Sequence, residues 1–443
     1  MRLDKNHNTL SCTTCHAGGI NVPDKEQAHL NLIAEPALPR HINKTCGPCH
    51  TKISKQITTS LHYSLKKSTN LFRKAFGATE PLQTFLNTPQ VVPPHSILDL
   101  ADDLLHRRCF NCHPFNHGDD YPLTGHGTGC GSCHLHFVEG SLVNHNFQKP
   151  HDDQCFSCHY GNYVGFDYYG RFEHDLNTEY RTPYTTKDKF FRPYGIEFHQ
   201  LRPDIHHLKG LWCIDCHSGT ELMSSDGAKI SCESCHVETE LISTLPRGVK
   251  KIADHYIFHA VDGRDHPLPT LRHPAHFTYQ GQVTCQACHA QWTFNDLGKH
   301  YIRYDNDGYD TWDALTTQGN FTVQSILENN LDFDKDEIPP EMDDKLSGKI
   351  GIGIWLKSYS QRRWGDIKLG RDRKGRITTL RPMLDYYLSW VDEDDIVRFS
   401  SQESRADNNG YQPYTPHTTG AAGIFYQQRI RRYLKTENQV LKQ

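Results

Sequence analysis

One short pattern, Cys-x-x-Cys-His, occurs eight times and uses all sixteen cysteines of the chain. Numbered in chain order as motifs 1 to 8, the copies are Cys12, Cys15 and His16; Cys46, Cys49 and His50; Cys109, Cys112 and His113; Cys130, Cys133 and His134; Cys155, Cys158 and His159; Cys213, Cys216 and His217; Cys232, Cys235 and His236; and Cys285, Cys288 and His289. Two thiols at this spacing can add to the two vinyl groups of one porphyrin, while the following histidine is held beneath the iron as its proximal ligand. The pattern therefore predicts eight covalently attached c-type haems.

Zinc is the main competing interpretation, because paired Cys-x-x-Cys units also build zinc ribbons. A zinc site does not need a histidine directly after every second cysteine, yet all eight copies here have one. We therefore favour haem over zinc. No cysteine remains for a disulfide or a catalytic thiol.

The composition is poor in apolar residues for a chain of 443 residues, since 36% are hydrophobic and the mean hydropathy is −0.68. Porphyrin rings would supply the missing apolar bulk, so we expect mostly coil, with short helices wrapped around a chain of haems. The formal net charge is −4 with histidine neutral, and each haem adds two propionates. This acidity argues against nucleic-acid partners.

Haem attachment of this type takes place outside the cytoplasm, so we expect an exported protein in the periplasm or the extracellular space. Residues 1–5 lead into polar sequence without the apolar stretch of an export signal, and we interpret the chain as a mature form. No apolar run approaches the roughly 18 residues that span a bilayer, so no membrane span is expected. The longest apolar cluster, residues 351–356, is interpreted as a strand.

The motifs divide the chain into an octahaem-binding array, residues 1–300, and a haem-free C-terminal region, residues 301–443. Motifs 3, 4 and 5 begin 21 and 25 residues apart, and motifs 6 and 7 begin 19 residues apart. Such short segments keep successive haems next to one another. One line of haems, ordered roughly as in the sequence, is the simplest arrangement.

The chain has thirty histidines, and distal ligands for eight haems would account for their number. Several lie just upstream of a motif, and others occur in short helical or aromatic contexts. The candidate distal ligands are His62, His106, His126, His151, His174, His206, His276 and His300. For each of them the alternative is a propionate partner or a surface residue.

These features make the chain resemble the multihaem c-type cytochromes whose irons carry a histidine on both faces, over roughly residues 1–300. Residues 204–217, Asp-Ile-His-His-Leu-Lys-Gly-Leu-Trp-Cys-Ile-Asp-Cys-His, resemble segments of that group in which the histidine after Asp-Ile is a distal ligand. The resemblance favours His206 over His207. It implies a multihaem cytochrome c fold, with redox proteins or extracellular electron acceptors as partners. The group includes periplasmic shuttles, mineral-reducing surface cytochromes and subunits of conductive filaments.

The same group also contains enzymes, so an octahaem oxidoreductase acting on a small nitrogen or sulfur compound is the alternative. An iron with histidine on both faces passes electrons, whereas a catalytic iron keeps one face open. The lysine-containing motif of multihaem nitrite reductases and the wider cysteine spacing of octahaem sulfite reductases do not occur. Octahaem hydroxylamine oxidoreductases and tetrathionate reductases stay open as alternatives. The expected histidine on both faces of each iron favours electron transfer.

The C-terminal region alternates apolar or aromatic residues with turn signals. These patterns predict a small antiparallel β unit with strands at 355–359, 376–380, 386–391 and 396–400, and a helix at 323–329. The unit could cap the haem array, contact a partner or mediate assembly. His417 is either a further distal ligand or a solvated loop residue.

Two acidic runs, residues 305–310 and 332–337, offer closely spaced oxygen ligands of the kind that calcium prefers. Neither fits a full EF-hand loop. Solvated turns are the favoured interpretation, with calcium as the alternative.

The expected function is a relay of electrons between haems. Motif 1 begins at residue 12, so a terminal haem can be exposed near the N-terminus, which suits end-to-end docking. A contact between two different surfaces that does not close into a ring generates a helical fibre. A polymeric filament is therefore a further hypothesis.

Overall fold

The fold is drawn from a computed structural model of the chain. It describes residues 3–161, 164–173, 193–196, 198–236, 245–294, 299–308, 317–332, 334–358, 367–404, 410–422 and 426–440. No helix within these ranges is long and apolar enough to cross a membrane.

Helices are numerous and mostly short. They are Cys12–His16, Lys25–His29, Pro39–Thr45, Thr51–Ile57, Leu61–Ser64, Lys66–Ala75, Ile97–Leu104, Gly131–His134, Asp152–His159, Gly165–Tyr168, Ile205–Leu208, Cys213–Cys216, Gly219–Leu222, Pro274–Thr278, Cys285–His289, Phe321–Asn330 and Tyr426–Val440. Single turns of 3₁₀ helix occur at Phe85–Asn87, Phe110–Cys112, Pro193–Gly195 and Cys232–Ser234, and a π-helical turn occurs at Leu105–Cys109. Helices of one or two turns are marginal on their own, so packing must hold them.

Strands form six small sheets among the described residues. They are Phe137–Val138, Ser141–Leu142, Arg171–Glu173, Phe198–Gln200, Val249–Ile252, His255–His259, Asp265–Pro267, Lys299–Tyr304, Glu341–Asp343, Ile350–Ile352, Ile354–Lys357, Leu369–Arg371, Ile377–Pro382, Tyr386–Val391, Val397–Glu403 and Tyr411–Pro413. These positions and the helix Phe321–Asn330 confirm the elements predicted in the C-terminal region. The predicted strand at 351–356 is split at Gly353, whose φ of 109° breaks the extended backbone.

The largest sheet has four strands, in the order Ile354–Lys357, Lys299–Tyr304, Tyr386–Val391 and Val397–Glu403. Its central pair, Lys299–Tyr304 with Tyr386–Val391, is parallel, whereas the two outer pairs are antiparallel. The prediction of an antiparallel unit is therefore wrong for this sheet. A parallel pair needs a long crossover, and the residues between 304 and 386 supply it.

The main hydrophobic core combines residues from both halves of the chain. The helix Ile97–Leu104 begins at a capping box formed by Ser96 and Asp99 and buries Leu100 and Leu104 completely. These side chains pack with Trp355, Leu388 and other residues of the four-stranded sheet. The haem-free region is thus built onto the segment that leads into motif 3.

A buried carboxylate ties that helix to the sheet. Asp103 lies 3.1 Å from the Arg303 guanidinium and 3.0 Å from the Nε atom of Arg107. It also accepts a hydrogen bond of 2.7 Å from the Trp355 indole N–H. Because three groups on different elements share one fully buried acid, the segment before motif 3 is fixed relative to the sheet.

Candidate haem sites

Each motif lies in a short helix or a hydrogen-bonded turn. In four motifs the N–H of the histidine donates to the carbonyl of the first cysteine, at 2.8 Å for His50, 3.0 Å for His134, 2.8 Å for His217 and 2.9 Å for His236. Residues three and four positions apart share a face of such a turn. Both thiols and the imidazole can therefore bind the same planar group.

Several motif histidines are oriented through Nδ1, which leaves Nε2 to face away from the motif. Nδ1 donates to the carbonyl of Ile33 from His16, to that of Gln148 from His134 and to that of Gly420 from His289, at 2.8, 2.9 and 2.8 Å. A carbonyl only accepts, so Nδ1 carries the proton and Nε2 has a free lone pair. Metal-binding histidines are commonly fixed in this way.

Six motif histidines face a second histidine ring. The ring-centre distances are 6.1 Å for His16 and His145, 6.2 Å for His50 and His7, 6.2 Å for His159 and His62, 6.3 Å for His217 and His417, 6.0 Å for His236 and His206, and 6.1 Å for His289 and His276. A metal–imidazole bond is about 2 Å long, and the ring centre lies about 1 Å beyond the nitrogen. Two imidazoles on opposite faces of one metal ion thus have centres about 6 Å apart, as these pairs do.

Three of the opposing histidines are also held through Nδ1. His62 donates to the carbonyl of Leu222 at 3.1 Å, His206 to the Asp204 carboxylate at 2.8 Å, and His7 to the Asp4 carboxylate at 2.6 Å. The same acceptors that orient metal-binding histidines are therefore present on both members of a pair. These residues fit the second axial position of a haem iron.

The adjacent residues His206 and His207 contact different rings in the structure. His206 faces the motif histidine His236, whereas the ring of His207 lies 4.0 Å from that of Tyr169. Of the two adjacent histidines, His206 is thus the one that faces a motif histidine.

His113 and His126 lie near each other but do not form a ring pair like the six described above. His113 is 2% exposed, and its Nε2 has no hydrogen-bond partner among the described residues. Burial lowers the pKa of His113 to about 4, with a further contribution from the nearby His126. His126 donates through Nδ1 to Gly127 at 2.8 Å, and its Nε2 lies 3.6 Å from the Cys158 sulfur. Within the described residues, neither His113 nor His134 has a histidine ring opposite it at the distance seen in the six pairs.

Other predicted distal ligands lie elsewhere. Nδ1 of His106 is 3.0 Å from Asp344 and its Nε2 is 3.0 Å from the carbonyl of Thr88, so as placed it has no lone pair for iron. His300 lies in the central strand of the large sheet, with Nε2 3.1 Å from the Ser389 hydroxyl. Neither residue faces a motif histidine in the structure.

His151 and His174 complete the set of predicted ligands. The ring of His151 packs 4.3 Å from that of Trp212, beside a cavity of about 230 Å³ that His207 and Arg264 also line. His174 lies outside the described residues.

Sequence reasoning missed two of the opposing histidines, His7 and His145. His7 lies five residues before Cys12, in the same upstream position as several predicted ligands, so that signal could have found it. His145 is separated by more than a hundred residues from its partner His16, and no local pattern reports such a contact.

Contacts between cysteines of different motifs define the spatial order of the sites. Thiols are in hydrogen-bond contact between motifs 2 and 4 (Cys46 and Cys130), 3 and 5 (Cys112 and Cys158), 5 and 6 (Cys155 and Cys213), and 7 and 8 (Cys232 and Cys285). Longer-range interactions link motifs 1 and 2 (Cys15 and Cys46), 4 and 5 (Cys133 and Cys155), and 6 and 7 (Cys216 and Cys235). The resulting line runs 1, 2, 4, 5, 6, 7, 8, and motif 3 joins it at the side of motif 5.

These contacts also affect the thiols themselves. The hydrogen bond from Cys130 lowers the pKa of Cys46 to about 6. Burial raises the pKa of Cys216 to about 12. The unmodified thiols of different motifs therefore differ widely in acidity.

The acidic runs are partly accounted for by protein contacts. One carboxylate oxygen of Asp305 binds Arg303 at 2.7 Å, and the other accepts from the Trp390 indole at 2.9 Å. Asp332 lies 3.1 Å from the Lys335 amine. Residues 309, 310 and 333 lie outside the described part of the chain, and within that part no group of three or more His, Cys, Asp or Glu side chains is gathered around a common metal position.

The chain was compared with family models, with curated proteins and with solved structures. None of the three comparisons yields a match.

Proposed function

We propose that this chain is an exported octahaem c-type cytochrome that relays electrons in the periplasm or the extracellular space. The observation that carries the proposal is the coincidence of eight Cys-x-x-Cys-His motifs with six histidine pairs whose ring centres are 6.0–6.3 Å apart. When bound, each haem supplies an iron that gains and loses one electron.

The residues of the chain position that group and restrict its chemistry. Two thiols of each motif fix the porphyrin covalently, and Nδ1 acceptors such as Ile33 and Gln148 fix the orientation of the motif imidazole. At the six motifs with a facing histidine, that second imidazole would bind the group as well and keep small ligands away. Paired histidines therefore favour transfer of electrons over transformation of a substrate.

The order of the motifs supports a continuous relay. Interactions between thiols link motifs 1, 2, 4, 5, 6, 7 and 8 in a line, and motif 3 joins it beside motif 5. The two ends of this line are the natural points of contact for an electron-donor protein and for an acceptor, either a redox protein or an extracellular compound.

End-to-end assembly into a filament is the further form of this proposal. Three apolar side chains near motif 1 are exposed, with exposed fractions of 65% for Ile20, 68% for Leu30 and 46% for Leu32. A protein contact at this end of the line would cover these side chains. Electron microscopy at high protein concentration tests this form: fibres support it, and dispersed monomers contradict it.

The alternative is an octahaem oxidoreductase with one open catalytic haem. His113 and His134 are the two motif histidines to examine first, because the described residues show no close histidine ring opposite either. This alternative predicts at least one high-spin iron that binds nitrite, cyanide or hydroxylamine.

The deciding experiment is low-temperature electron paramagnetic resonance (EPR) of the oxidised protein, with and without those small ligands. Haem content is measured on the same sample by intact mass and by the pyridine haemochrome spectrum. Eight haems with low-spin signals that ignore the added ligands support the relay. A high-spin signal that shifts on addition supports the oxidoreductase, and a protein exported without haem contradicts both.

A further inference from the structure

A short segment of the haem-free region, residues 417–420, reaches the last three sites of the array. It lies between the strand Tyr411–Pro413 and the helix Tyr426–Val440, and Thr418 within it is completely buried. It contacts the histidines of motifs 6 and 8 directly and reaches motif 7 through Asp204 and His206.

At motif 6 the segment contributes an imidazole. The ring of His417 faces that of His217 at 6.3 Å, the separation found in the other five pairs. The backbone N–H of His417 donates to the buried carboxylate of Asp167, which fixes the start of the segment.

At motif 7 the segment acts through Asp204. One carboxylate oxygen accepts from the backbone N–H of Thr419 at 2.6 Å, and the other accepts from Nδ1 of His206 at 2.8 Å. The N–H of Ile205 donates in return to the carbonyl of Thr419 at 2.8 Å. The orientation of His206, which faces His236, is therefore tied to the position of Thr419.

At motif 8 the contact is with the motif histidine itself. Nδ1 of His289 donates to the carbonyl of Gly420 at 2.8 Å, and the N–H of Gly420 donates to the carbonyl of His289 at 2.9 Å. The side chain of Gln291 adds hydrogen bonds to the carbonyls of Thr419 and Pro203, at 3.0 and 3.1 Å.

We propose that residues 417–420 form one clamp that sets the axial imidazoles of motifs 6, 7 and 8 together. His417 is the second axial ligand at motif 6, and Asp204 and Gly420 are positioning residues at motifs 7 and 8. The inference rests on the proposed function, because axial ligation requires bound haem. It gives the haem-free region a definite role in the array, beyond that of a cover.

The ligand role of His417 is tested with His417→Gly in the full chain. EPR is expected to show one of the eight low-spin centres converted to high spin, and added imidazole is expected to restore it, since it can fill the space left by the ring. His255→Gly, at an exposed strand position, is the matched control and keeps all eight centres low-spin. If His417→Gly also keeps eight low-spin centres, the assignment is overturned.

The joint action of the clamp is tested with two milder variants. A Cβ atom on Gly420 would lie 2.4 Å from the Gln291 side chain, so Gly420→Ala displaces the group that holds Thr419 and Pro203. Gln291→Ala removes the same two hydrogen bonds without altering Gly420. Both variants are expected to shift the g-values of three low-spin centres and leave the other five unchanged. A change confined to one centre contradicts a shared clamp.

Haem content separates this inference from the proposed function. If intact mass shows no haem on the wild-type chain, the proposed function fails and takes the clamp with it. If eight haems are present and the variants leave every low-spin signal unchanged, the clamp alone fails.

Discussion

At the scale of single residues, two adjacent histidines occupy very different surroundings. His206 faces the motif histidine His236 and is oriented by Asp204, whereas His207 stacks against Tyr169. Neighbours in sequence with opposite roles give a matched pair of variants.

We expect His206→Ala to convert one low-spin centre to high spin, because the iron at motif 7 loses its second imidazole. His207→Ala should leave the spin states unchanged. EPR of the two oxidised variants at equal haem content checks this. High spin in the His207 variant alone would reverse the assignment.

His106 gives a prediction about pH. Burial disfavours its charge, yet the hydrogen bond and charge of Asp344 outweigh burial and raise the pKa of His106 above its usual value. Burial likewise opposes ionisation of Asp344, but the hydrogen bond from His106 and two backbone N–H groups lower its pKa to about 2. A raised histidine pKa stabilises the fold below about pH 6.5, and a lowered aspartate pKa stabilises it above about pH 3.9.

The His106–Asp344 pair therefore makes its full contribution to the stability of the fold between about pH 4 and 6.5. It is lost as the pH rises through the raised pKa of His106, and again as the pH falls toward 2. Asp344→Asn keeps the side-chain shape and should flatten this profile, as measured by urea unfolding at several pH values. An unchanged pH profile in the variant would rule out the pair as its source.

At the scale of elements, the helix Ile97–Leu104 is fixed to the large sheet through Asp103. Removing one partner of a buried ionic group costs about 3–5 kcal/mol, because the other charges are left uncompensated. We expect Asp103→Asn to lower the free energy of unfolding by about that amount. Lys335→Ala, which breaks the exposed pair with Asp332, is the control and should cost less than about 1 kcal/mol. Equal effects would mean that Asp103 is not an anchor.

The elements also show what local sequence can predict. Tyr386–Val391 was recognised because aromatic and β-branched residues bounded by turn signals favour a strand. Its parallel pairing with Lys299–Tyr304 cannot be predicted from local sequence, because strands so far apart in the chain meet only through the packing of the whole core. The apolar run at 351–356 likewise predicts a strand. It does not predict the break at Gly353, which depends on the positive φ of that single residue.

At the scale of the whole molecule, the motifs can be read directly from the sequence, whereas the histidines that face them can be predicted only in part. Of the predicted set, His62, His206 and His276 face motif histidines. His106 and His300 do not, because hydrogen bonds with Asp344 and Ser389 occupy their rings. The position of a motif histidine follows from its own motif, whereas the histidine opposite it comes from whichever segment folds across the site.

The spatial order of the sites yields a prediction for the holoprotein. Because Cys112 contacts Cys158, motif 3 should lie beside motif 5 and outside the line formed by the other seven. In an experimentally determined structure with haem, motif 2 should then have motif 4 as its neighbour rather than motif 3. Iron–iron distances measured by cryo-electron microscopy check this, and a line in strict sequence order would contradict it.

The parallel strand pair of the large sheet also affects the order in which parts of the chain can fold. All eight attachment motifs precede residue 290, whereas the sheet that closes the main core cannot form until Tyr386–Val391 arrives beside Lys299–Tyr304. On the proposed export route, a chain crossing the membrane N-terminus first would present its cysteines while this core is still open. On the proposed function, cofactor attachment would therefore precede closure of the core.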